Sequence, residues 1–119
     1  MLRLIYAFRN TCAGFWHAGR TERAVQEEMV LLILALPSAW FLGTGLWDRV
    51  AMLASVLLLL AIELLNTCAE KLCDHVTPAI HPQIKIVKDM GSAAVFCAIL
   101  ICLLVWGGAL ALRLGLITS

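Results

Sequence analysis

The chain has 119 residues, 62% of them hydrophobic and 14% charged, with a formal net charge of +1. So apolar a composition at this length excludes an ordinary water-soluble domain, and the near-neutral balance gives no reason to expect a nucleic-acid partner. What remains is one all-α membrane domain over residues 1–119, because a single short chain in a bilayer must satisfy its backbone within helices.

Residues 1–20 predict an amphipathic helix lying in the membrane interface, with Leu4, Ile5, Phe8, Cys12, Phe15 and Trp16 apolar and Arg3, Arg9 and His17 between them. No short apolar core with a small-residue cleavage site follows, so this segment is expected to be retained and not removed as a secretory signal. Gly19 is expected to break the helix. Thr21, followed by Glu22, Glu27 and Glu28, then reads as the capped start of the next one.

The charge-free run 29–47 spans 19 residues, enough to cross about 30 Å of hydrocarbon, with a bend expected at Pro37. Gly43, Gly45 and Asp48 supply a short turn. A second crossing follows over 50–70. Pro78 and Pro82 stop that helix and impose a loop, and Pro82 suits the first turn of the next. The third crossing is 90–112, where Gly91-Ser92-Ala93-Ala94 favours close helix packing. Arg3, Arg9, Arg20, Arg23, Lys71, Lys85 and Lys88 make seven of the nine cations and fall on one side of this arrangement. That asymmetry predicts a cytoplasmic N-terminus.

The second crossing is not purely apolar. At 100° per residue Glu63, Asn66, Glu70 and Asp74 fall at roughly 0°, 300°, 340° and 20°, one narrow helix face. Ionisable groups at such depth are costly and usually functional; the plainer alternative is a neutral acid that fixes helix packing through a hydrogen bond. Three helices cannot shield this stripe from lipid unaided, so a homo-oligomer is expected. Acids at Glu22, Glu28, Glu63, Glu70, Asp74 and Asp89 lie near cations at Arg3, Arg9, Arg20, Arg23, Lys85 and Lys88, a set suited to a metal–phosphate complex. Mg²⁺ takes one or two carboxylates and completes its shell with phosphates and water, which makes Glu70 and Glu22 candidate ligands. Phosphoryl transfer also needs a carboxylate to accept the proton of the attacking hydroxyl. Glu63, deeper than Glu70, stands where a lipid headgroup hydroxyl lies. No G-x-x-x-x-G-K-[ST] run occurs, so a nucleotide site here is built without a P-loop. The five cysteines, Cys12, Cys68, Cys73, Cys97 and Cys102, form no C-x-x-C pair and read as packing residues.

Glu63-Leu64-Leu65-Asn66-Thr67-Cys68-Ala69-Glu70, followed by Lys88-Asp89-Met90-Gly91-Ser92-Ala93-Ala94-Val95, resembles the signature of the small prokaryotic diacylglycerol kinases. The resemblance implies a homotrimer in the bacterial inner membrane that phosphorylates diacylglycerol with ATP and Mg²⁺. It implies that Glu63 is the general base, that Asn66 orients the catalytic face, and that Glu70 and Glu22 hold the metal. Arg3, Asn10, His81, Lys88 and Asp89 then join Glu22 and Glu70 near ATP, while Arg3, Glu28, Glu63 and Ser92 lie toward the lipid.

The same pattern suits an undecaprenol kinase of that family. Taken without the resemblance, the intramembrane acids also permit a small proton- or ion-conducting oligomer, or a purely structural assembly subunit.

Overall fold

The computed structural model describes residues 1–77, 79 and 81–118, and within them the chain forms four helices: α1 (Leu2–Thr21), α2 (Arg23–Leu42), α3 (Leu46–Val76) and α4 (Pro82–Arg113). The last three are long and apolar enough to cross a membrane. α3 packs chiefly against α4 and then α2, whereas α1 meets α2. The longest dimension is 53 Å.

Two local expectations are corrected. Gly19 stays helical, and a methyl there would meet Met29 Sδ of α2 at 3.4 Å, an ordinary contact. Thr21 does not cap α2; its hydroxyl donates to His17 O at 2.9 Å, a bond back into the preceding turn. The break falls instead at Glu22, whose extended backbone (φ −109°, ψ 114°) ends α1 and starts α2.

α2 runs unbroken through Pro37 and ends at Leu42, so residues 43–47 of the expected first crossing form a turn and the start of α3. The turn is closed by two side chains. Asp48 Oδ2 accepts from the Thr44 amide at 2.6 Å and hydroxyl at 2.9 Å, and Oδ1 from the Gly45 amide at 2.7 Å, satisfying donors at the N-terminus of α3. Arg49 reaches back to donate to Trp40 O at 3.2 Å and Gly43 O at 3.0 Å, with its guanidinium 4.7 Å from the Trp40 ring centre. A side chain at Gly43 would collide with the Arg49 stem. Hydropathy alone cannot see this closure, since Leu46 and Trp47 are as apolar as the span before them.

At the other end of α3, His81 accepts from the Gln83 amide through Nδ1 at 3.1 Å and Pro82 occupies the first turn of α4. The expected break at Pro78 lies outside the described residues; α3 ends at Val76.

Two small cores hold the bundle. Ala18, Val25 and Leu60 join α1, α2 and α3, with Met29, Leu32 and Leu64 against them. Ala39, Met52 and Ala109 join α2, α3 and α4, with Val105 and Trp106 alongside. Because lipid is as apolar as leucine, helix contact in a membrane relies on close packing and interhelical hydrogen bonds. Trp106 supplies such bonds: its Nε1 donates to Met52 O and to Ser55 Oγ, both at 3.1 Å, while Cys102 Sγ donates to Ser55 O at 3.1 Å. Trp106→Phe is therefore expected to lower stability by about 1 kcal/mol in detergent unfolding; unchanged stability would remove these bonds from the account of α3–α4 packing.

The remaining apolar surface points outward, including Leu34, Phe96, Leu103 and Leu104. On α3 the exposed positions Ala54, Leu58, Ala61, Leu65, Cys68, Leu72 and His75 recur at alternating spacings of four and three, a seam turned away from α2 and α4. All five cysteines are free; Cys73 alone is buried, Cys102 is partly so, and Cys12, Cys68 and Cys97 are exposed, so packing within this chain explains only two of them.

Candidate active site

Glu63 lies on the inner side of α3 with 9% of its surface exposed. The helical repeat that aligned Glu63, Asn66, Glu70 and Asp74 in the sequence carries them down one continuous helix. Glu28 of α2 is close enough to Glu63 for the two carboxylates to repel, and Glu70 and Glu22 also act on Glu63 through space. Glu22 of the α1–α2 junction, Glu28 of α2, and Glu63 and Glu70 of α3 thus share one region.

Asn66 is fixed from two sides. Its Nδ2 donates to Glu70 Oε1 at 3.3 Å, and its Oδ1 lies against Gly91 of α4, where any Cβ would collide with it. Gly91 therefore does more than permit close packing: it opens the space that the carboxamide occupies. Asn66 Oδ1 and Glu28 Oε2 are buried without hydrogen-bond partners among the described residues. Buried polar atoms left so are uncommon and costly.

Below this lies the α3–α4 end. Lys88 Nζ pairs with Asp74 Oδ1 at 2.8 Å and feels the charge of Glu70, while Lys85 Nζ pairs with Asp89 Oδ2 at 2.7 Å. Asp74, Thr77, Ala79, His81, Ile84, Lys85, Lys88 and Asp89 line a cleft of about 290 Å³. Its two lysines are each neutralised by an aspartate of the same wall, so an anion entering the cleft would have to compete with Asp74 and Asp89 for them.

The structure thus brings together Glu22, Glu28, Glu63, Asn66 and Glu70 at α2–α3, and His81, Lys88 and Asp89 at the adjoining cleft. Among the described residues no hydrogen bond or ion pair joins Arg3 or Asn10 to them. At 1.5 Å per residue they stand about 28 Å and about 18 Å from Glu22 along α1, and both are exposed. Ser92 is exposed as well. Sequence reasoning missed Lys71, whose Nζ holds Glu22 Oε1 at 2.8 Å; no motif spacing announces that contact. Among the described residues no group of three or more His, Cys, Asp or Glu side chains is gathered to hold a metal by itself.

A small helical membrane protein with a row of carboxylates descending from a buried glutamate to a cleft of paired lysines and aspartates is the class that fold and site define. Residues 9–110 match the family described as prokaryotic diacylglycerol kinase. The chain is 36% identical over 110 residues to the diacylglycerol kinase of Haemophilus influenzae, covering 92% of this chain and 93% of that one. It is 38% identical over 104 residues to the diacylglycerol kinase of Pseudomonas aeruginosa, with 87% and 85% covered, and 34% identical over 104 residues to that of Escherichia coli, with the same coverage. The chain belongs to the prokaryotic diacylglycerol kinase family and is, by that membership, a lipid kinase. The conducting and purely structural readings fall away with it.

Proposed function

We propose that the protein transfers the γ-phosphate of MgATP to the free hydroxyl of diacylglycerol, giving phosphatidic acid and ADP at the cytoplasmic face of the bacterial inner membrane. The observation that carries this reading is the row on α3: an almost fully buried Glu63 on the same face as an Asn66–Glu70 pair, with Lys88 of α4 within electrostatic reach of Glu70. The row runs from membrane depth to the lysine-bearing end of the helices. A lipid alcohol and a water-soluble nucleotide can meet along it.

The donor set fits Mg²⁺. Glu22 and Glu70 offer hard carboxylate oxygens in the number this ion takes from a protein when phosphates complete its shell, Glu28 Oε2 is a buried oxygen lacking a partner, and of the four clustered acids only Glu22 is ion-paired among the described residues. When bound, the ion would offset charge on the phosphate oxygens. Glu63 accepts the proton of the lipid hydroxyl as that oxygen bonds to the γ-phosphorus and the bond to the ADP oxygen breaks. Asn66, held by Glu70 and Gly91, keeps the row in register. Lys88, freed from Asp74, sets a positive charge against the phosphates, and His81 and Asp89 border the nucleotide from the cleft.

Assembly as a homotrimer completes the site in this reading. The seam of alternating three- and four-residue spacing on α3 offers a face for a second copy, and a neighbour's α1 can bring its Arg3 and Asn10 to these acids. Purified protein given radiolabelled ATP, Mg²⁺ and a panel of lipid alcohols tests the proposal. Label is expected in phosphatidic acid, and only with the metal present. Label in a polyisoprenyl phosphate alone would reassign the substrate, and label in no lipid would end the reading.

A further inference from the structure

We propose that Lys71 is an internal competitor for the divalent cation, its ammonium occupying Glu22 until the metal displaces it. This rests on the reading of Glu22 as a metal ligand. Lys71 Nζ stands 2.8 Å from Glu22 Oε1, with the lysine side chain 52% and the glutamate side chain 28% exposed. Both ends are wet enough for water to replace the partner, so the pair can open without stranding a dry charge.

Two features make it a competitor and not an inert brace. Of Glu22, Glu28, Glu63 and Glu70, only Glu22 is in an ion pair among the described residues, so Lys71 is the contact cation of a cluster that otherwise repels itself. Finally, Glu22 occupies the extended residue between α1 and α2, outside either helical lattice, where its side chain is free to exchange one cation for another. A divalent ion about 2.0–2.1 Å from that carboxylate would share it with a like-charged ammonium, and Coulomb repulsion drives one of them off. Lys71 thereby neutralises the acids and ties the α1–α2 junction to α3 while no metal is bound, and it weakens metal binding in return. It is a positioning residue, acting through Glu22.

The test is Mn²⁺ binding by electron paramagnetic resonance to the full chain in detergent micelles, without nucleotide. Lys71→Met, which keeps the apolar stem, is expected to bind Mn²⁺ about three- to fivefold more tightly, the range an exposed ion pair can withhold, while Lys71→Arg binds like the unmodified protein. Glu22→Gln is expected to bind more weakly and to erase the effect of Lys71→Met in the double variant. A brace would give the opposite sign, since its loss loosens Glu22; unchanged or weaker binding in Lys71→Met overturns the competition while leaving the metal reading intact. Absence of Mn²⁺ binding by the unmodified protein overturns both.

Discussion

Glu63→Gln is expected to yield a folded, membrane-inserted protein that binds nucleotide and has lost lipid phosphorylation by a factor of at least about 10²–10⁴, the usual contribution of a positioned base. The amide matches the carboxylate in shape, so the contacts that bury Glu63 between α2 and α3 persist. It cannot take a proton from an alcohol. It also removes the charge that Glu22, Glu28 and Glu70 each repel, so stability should hold or rise. Phosphate transfer to lipid, measured beside thermal unfolding in the same detergent, separates the two effects. Substantial residual transfer would remove Glu63 from the mechanism.

Gly91→Ala is the second large effect, and it reaches the acids from the opposite helix. The added methyl has no room beside Asn66 Oδ1, so either α3 and α4 move apart or the carboxamide turns and releases Glu70. Overpacking of this kind costs about 1–3 kcal/mol, and activity is expected to fall at least about tenfold as the row loses its register. The double variant Gly91→Ala with Asn66→Ala discriminates the cause. Removing the carboxamide relieves the collision, so stability should return while activity stays low. Equal destabilisation in the single and double variants would show that the collision is not the source.

The crossings and the acid face were legible because each obeys a short-range rule. The first and third crossings are charge-free runs longer than about 18 residues, which have few other fates, and a 3.6-residue repeat puts Glu63, Asn66, Glu70 and Asp74 of the second on one side whatever surrounds them. Pro82 likewise announced the start of α4. Local signals failed at the end of α1: Gly19 remains inside the helix, and Thr21 bonds backward while Glu22 takes the break. Contacts between distant positions left no trace in spacing. Glu22 meets Lys71, Asn66 meets Gly91 and Trp106 meets Met52 only because three helices come together in one particular order. The small size of Gly91 was visible; the group it admits was not.

The turn between α2 and α3 has a mechanical consequence for the far end of those helices. Asp48 and Arg49 stitch the two rods together where they meet, as the joined end of a pair of tweezers fixes its arms. The far tip, where Glu22 and Glu28 confront Glu63 and Glu70, is fastened as well, by Val25 against Leu60 and by Lys71 on Glu22. Whatever enters between these acids works against rods clamped at both ends.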